Sequence, residues 1–216
     1  MNQIADILHT TIFLNYGYPN KNLGDTFLFL WKIQEIDKNF EGDPDSVLVN
    51  ESHVTELAIY GILKSIAKIH AYMHIRKYNQ EPKILEKCPE FKTELLFGLH
   101  QGRAYEGAVG SLWKIDANYV SPDVTVASRL SLSCEYYGVN FIFSKNIFWS
   151  LTDSFKAMCW EIDWVKIKGV KNPVELYTIT IEPENMKGEV YGYQNMNLHT
   201  HKDKLVERLK NILKEK

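Results

Sequence analysis

The sequence predicts an α+β fold built around a partly antiparallel sheet. Two observations carry this. Helix-period and strand-period stretches alternate along the chain, and the extended runs "CWEIDWVKIKG" and "VELYTITIE" flank "VKNP" as the two arms of a hairpin. The length, 216 residues with 45% hydrophobic and 24% charged content, suffices for one domain with a well-buried core.

The elements follow in order. Ile4, Ile7, Leu8, Thr11 and Ile12 share one helical face over residues 2–14. "NYGYPNKN" reads as turn-rich, "TFLFLWKI" as a buried strand and "GDPDS" (42–46) as a loop. A long helix is expected from 53 to 78, with Leu57, Ala58, Gly61, Ile62, Ser65, Ile66, Ile69 and Met73 on its apolar face. Pro82 and Pro89 bracket a loop, "TELLFGLHQG" reads as a strand, and "YEGAVGS" as a tight turn for which Gly107 and Gly110 are needed. "VTVASRLSLSCEYYG" predicts a helix closed by Gly138, "VNFIFS" a strand and "KNIFWSLTDSF" a helix. From Pro183 the chain turns polar, and "HKDKLVERLKNILKEK" predicts a basic amphipathic helix with Leu205, Leu209, Ile212 and Leu213 on one face.

Composition narrows the function. With 25 basic and 27 acidic residues the net charge is −2, which gives no global attraction to nucleic acid. Cys88, Cys134 and Cys159 are odd in number and far apart, as expected for reduced thiols. His70 and His74 stand four apart, but "HAYMH" lacks the glutamate of a zinc-protease helix. No apolar run reaches membrane-spanning length, and "MNQIADILHTTIF" has no signal-peptide pattern, so a cytoplasmic location is expected, with a cytosolic piece of a larger membrane protein as the alternative.

Three segments, in order, carry a resemblance: "NKNLGDTFLFLW", "FGLHQGRAYEGAVGSLWKIDANYVSPDVTVASRL" and "IDWVKIKGVKNPVELYTI". They are similar to the Lys-x-x-Gly-Asp hairpin, the Gly-Leu-His-x-Gly strand with its Ala-Ser-Arg helix, and the closing hairpin of class III nucleotide cyclase catalytic domains. The "IDANYVSP" stretch most resembles the protist and algal members. The resemblance implies a ferredoxin-like α+β cyclase domain over 1–183, followed by a polar linker and the basic helix over 184–216. It implies a domain that dimerises, with itself or with another cyclase domain, around composite sites. The reaction implied is the conversion of ATP to cyclic AMP and pyrophosphate with Mg²⁺ or Mn²⁺, GTP being the second candidate substrate.

Residue by residue, the resemblance makes Asp25 a metal ligand, a hard oxygen donor at a hairpin tip. Lys21 falls at one purine-reading position, where a lysine donor suits adenine N1, and Asn118 falls near the second, where an amide can serve either base. Arg129 matches the arginine that stabilises charge at the reacting phosphate, and Lys168 the lysine at the terminal phosphates. His100 belongs to the fold signature and reads as a packing or hairpin residue, not a base.

Two departures weaken the expected chemistry. The family's first metal aspartate stands in a Phe-x-Asp-(Ile/Val)-x-Gly-Phe strand and turn. Here Asp6 lies only 19 residues before Asp25, in a helical pattern, so the opening strand and its carboxylate are expected to be absent. Thr125 stands where the family places an asparagine that orients the ribose. A chain weak or inactive by itself is expected, with a non-catalytic dimerising or nucleotide-binding partner module as the alternative. The strands around 26–33, 93–100, 139–143, 160–168 and 174–181 are expected in one sheet, a division into two separate sheets defeating the resemblance at its root, and an apolar gap or unpaired edge is expected from the missing strand.

Overall fold

The computed structural model describes residues 1–33, 44–168 and 170–179, with the backbone alone for 44–50. The polar segment from Pro183 and the basic helix after it lie outside the described residues.

Helix α1 (Asn2–Phe13) leads into an antiparallel hairpin of β1 (Tyr18–Leu23) and β2 (Thr26–Leu30). A 28-residue helix, α2 (Pro44–Ala71), follows, with proline in its first turn, where the missing N–H costs nothing. It is succeeded by two short helices, α3 (Met73–Tyr78) and α4 (Pro82–Leu85). Next come β3 (Phe97–Leu99), a second hairpin of β4 (Tyr105–Gly110) and β5 (Ile115–Val120), and α5 (Pro122–Tyr137). The described chain closes with β6 (Phe141–Ser144), α6 (Lys145–Ser150), α7 (Asp153–Lys156), β7 (Trp160–Val165) and β8 (Val174–Thr178).

The central sheet has the order β3-β6-β8-β7, with β3 parallel to β6 and the other pairs antiparallel. β6 is an unbroken apolar run buried at every residue, as a strand covered on both faces must be. Its alternation divides the core. Phe141 and Phe143 face Ile59, Leu63, Phe155 and Tyr177, and Ile142 faces Val126, Leu130, Cys134 and Leu176. So α2 covers one face of the sheet and α5 the other. Gly98 lets α5 settle on β3, since a Cβ there would run into the Ala127 carbonyl oxygen and the Ser131 amide. A third cluster, around Leu8, Ile69 and Ile75, gathers Phe27 and Phe29 of β2 together with Phe97 of β3.

Several expectations change. The strand at 26–33 does not share a sheet with the other four, pairing only with β1 in a two-stranded ribbon, while the other four do form one sheet. That is the division expected to defeat the resemblance at its root, and it affects one strand of five. Among the described residues β2 and β3 each have a single ladder neighbour, and both border the same cluster. "NYGYPNKN" contains strand β1, and "YEGAVGS" is strand β4 rather than a turn. Gly107 sits inside that strand opposite Asn118, and only Gly110 borders the turn, packed against the Lys114 carbonyl. The long helix begins earlier than expected, at Pro44, and breaks at Tyr72, whose backbone is extended (ψ 113°). Met73 therefore leaves the apolar face and is exposed, while Ile59, Tyr60 and Leu63 are buried as well. "KNIFWSLTDSF" divides into α6 and α7.

Candidate functional site

The site is assembled where the two hairpins meet. In β1, Pro19 pairs with Phe29 and Lys21 with Leu28, so Asn20 is an extra residue, a β-bulge. In a regular strand neighbouring side chains point to opposite faces. Here two consecutive ones reach β5. Asn20 Nδ2 donates to the Ala117 carbonyl (3.3 Å) and Lys21 Nζ donates to Asn118 Oδ1 (2.6 Å). Asn118 faces Gly107 across its own ladder, so no side chain stands beside it on that rung. The buried Oδ1 of Asn20 has no hydrogen-bond partner.

On the other side of the same junction, Lys32 Nζ lies 2.8 and 2.7 Å from the two Glu106 carboxylate oxygens, and Tyr119 OH donates to Glu106 Oε1 (2.6 Å). The Lys32 ammonium also stands 5.7 Å from the Tyr119 ring centre. The Glu106 hydrogen bond raises the Lys32 pKa, and Lys32 in turn lowers that of Glu106, while the Tyr119 phenol is raised by its bond to Glu106.

Asp25 follows Gly24 at the β1–β2 turn, where Gly24 takes a left-handed backbone (φ 68°). Its carboxylate is exposed and accepts from Thr26 Oγ1 at 3.3 Å. Asp6 lies on α1 and is exposed, as its helical spacing indicates. Among the described residues no three His, Cys, Asp or Glu side chains gather into a group that could hold a metal ion.

Thr125 and Arg129 lie one turn apart on α5, with Thr125 exposed and Arg129 half-buried. The helix is fixed at its start by Ser121, whose Oγ accepts from the Asp123 amide (3.0 Å), and at its end by Gly138 in the left-handed region (φ 64°). Lys168 is exposed just beyond β7. No hydrogen bond or ion pair among the described residues joins Arg129, Lys168 or Asp25 to the Lys21–Asn118 pair. Of the expected site residues, the fold brings Lys21 and Asn118 into contact and sets Thr125 beside Arg129.

His100 links three elements. Its Nδ1 lies 2.7 Å from Ser144 Oγ and its Nε2 3.3 Å from Asp123 Oδ1. Burial lowers its pKa, and the Asp123 carboxylate opposes that shift. The buried Cys134 thiol is pushed up to about 12 by desolvation, which removes it as a nucleophile at neutral pH. Glu106, Lys32, Tyr119 and Asn20 had no sequence signal. Only the register of the two ribbons, 74 to 97 residues apart, brings them together.

No family model matches the chain, and no curated protein matches it. Solved structures do. A bacterial light-regulated adenylyl cyclase superposes with a TM-score of 0.60 at 17% identity, over 96% of this chain and 49% of that one. The adenylyl cyclase CyaB from P. aeruginosa superposes at 0.52 and 16% identity, over 84% of this chain and 80% of that one. An adenylate cyclase from Trypanosoma brucei superposes at 0.53 and 12% identity, over 90% and 80%. The chain spans about half the length of the light-regulated cyclases it matches. Despite the separated hairpin, the protein has the mixed α+β fold of adenylyl and guanylyl cyclase catalytic domains.

Proposed function

We propose that this chain is a nucleotide cyclase-like domain whose composite site binds ATP and which needs a second cyclase domain for turnover. The contact between Lys21 and Asn118 carries this reading. Two residues 97 positions apart, both expected to read a purine, meet at 2.6 Å beside a bulge. A lysine donor suits adenine N1, whereas guanine's N1–H and amino group suit a carboxylate; the Asn118 amide can serve either base, so the preference rests on Lys21. Arg129 would neutralise charge at the α-phosphate, Thr125 would touch the ribose, and Lys168 would hold the terminal phosphates, all supplied with Lys21 and Asn118 to a composite site whose remaining metal carboxylates come from the partner protomer.

Asp25, exposed at the β1–β2 turn, would be this chain's ligand to a divalent ion, and the ion would supply charge neutralisation of the phosphates. The other carboxylates of a two-ion centre would have to come from another segment. This favours a paired domain over a self-sufficient enzyme.

The β4–β5 ribbon supports pairing. All six β4 residues are exposed, and the tip residues Leu112 and Trp113 are 99% and 95% exposed, with Tyr105 at 86%. A two-stranded ribbon is marginal alone in water, and this one presents apolar side chains that a second cyclase domain would cover. The same ribbon supports the second reading, a dimerising or nucleotide-binding partner module without turnover.

Among the described residues no helix is long and apolar enough to cross a membrane. An assay for cyclic AMP with ATP and Mn²⁺, on the chain alone and with an added partner domain, tests the reading. Product only in the mixture supports it. Robust product from the chain alone overturns the requirement for a partner, and nucleotide binding without product in any mixture favours the second reading.

A further inference from the structure

We propose that Glu106, held by Lys32 and Tyr119, is a positioning residue that sets the distance between Lys21 and Asn118, and through it the preference for adenine. The inference rests on the nucleotide-binding reading above. Its basis is how the two ribbons hold each other. Neither is hydrogen-bonded through its backbone to the central sheet. The β4–β5 register is regular, with Glu106 opposite Tyr119 and Gly107 opposite Asn118. Neighbouring strand residues point to opposite faces. The Glu106–Tyr119 rung therefore presents its side chains on one face of the ribbon, and the Gly107–Asn118 rung presents Asn118 on the other.

The β1–β2 hairpin and the residues just after it reach both faces. Lys32 takes Glu106 on the first, and Lys21 takes Asn118 on the second. Asn20 holds the edge between them through the Ala117 carbonyl. The ribbon is thus gripped from two sides, one rung apart. Releasing Glu106 leaves Asn118 attached through a ribbon free to pivot, and a small displacement of one purine-reading group changes how the two read a base. Two partners on one carboxylate, the Lys32 ammonium and the Tyr119 phenol, hold Glu106 in place better than a lone surface pair would. Because the groups are solvent-exposed, release should alter selectivity more than folding.

The test is competition of a fluorescent ATP analogue with ATP and GTP on the full chain. The variants are Glu106→Gln, Tyr119→Phe, Lys32→Glu and the charge swap Lys32→Glu with Glu106→Lys, each checked by thermal unfolding. The expected result is an ATP-over-GTP preference in the unsubstituted chain that falls about two- to fivefold in Glu106→Gln, with the unfolding midpoint little changed. Recovery of at least half the loss in the charge swap would mark the ion pair itself as the cause. An unchanged preference in Glu106→Gln, or a swap no better than Lys32→Glu alone, overturns the clamp and leaves the nucleotide reading intact. Absence of nucleotide binding to the unsubstituted chain overturns both.

Discussion

Lys21 Nζ donates to Asn118 Oδ1 at 2.6 Å, joining the first hairpin to the second across 97 residues of chain. The bond occupies the lysine until a base competes for it, and the asparagine keeps its amide donors. Replacing Lys21 by Glu substitutes an acceptor for this donor. ATP binding should weaken about tenfold, with GTP gaining relative to ATP. Calorimetric titration with each nucleotide checks this. An unchanged ratio would remove Lys21 from the base-reading site.

Gly98 tests the packing of α5, the helix that carries Thr125 and Arg129. A methyl group at 98 would be driven into the Ala127 carbonyl and the Ser131 amide, both backbone atoms that cannot swing aside. Gly98→Ala should destabilise the fold by about 1–3 kcal/mol in denaturant unfolding.

His100 gives the fold a pH response. Burial depresses its pKa below the ordinary 6.5, so the unfolded chain takes up the proton first as pH falls. Stability from this group is complete above about 6.5 and declines as pH drops from there through the folded-state pKa. Unfolding free energies measured from pH 7.5 to 5 should show that decline, and His100→Asn should flatten it. A slope unaltered by the substitution would assign the effect to other groups.

The apolar tip of the second hairpin predicts association. Replacing Leu112 and Trp113 together by Ser should weaken self-association or pairing with another cyclase domain, read by sedimentation over a concentration series. Both side chains are almost fully exposed, so stability should shift by less than about 0.5 kcal/mol. A sedimentation profile identical to that of the unsubstituted chain would exclude the tip from the interface.

Much of the frame was legible because strong local signals agreed with the tertiary structure. The Ser121 and Gly138 caps fixed α5, the apolar run of β6 fixed the central strand, and "VKNP" marked the β7–β8 hairpin. The failures have physical causes. "YPNKNL" and "YEGAVG" carry turn-forming residues, yet their partners across the ladder hold them extended. The division of the sheet depends on which strand neighbours which, a long-range choice that periodicity does not encode. The motif residues Lys21 and Asn118 were visible one by one, but the bulge at Asn20 that turns the first toward the second was not, nor was the Lys32–Glu106–Tyr119 contact. Each depends on the register between ribbons far apart in the chain.

The central claim is that this domain needs a partner to turn over ATP, because Asp25 belongs to no group of three or more metal-ligating side chains among the described residues. The direct measurement is cyclic AMP formed from ATP and Mn²⁺ by purified chain, alone and with a cyclase domain bearing both metal aspartates. The account predicts no product above the buffer-plus-Mn²⁺ control for the chain alone, and product in the mixture that falls further with Arg129→Ala than with Asp25→Ala. Robust turnover by the chain alone, abolished by Asp25→Ala, would contradict it.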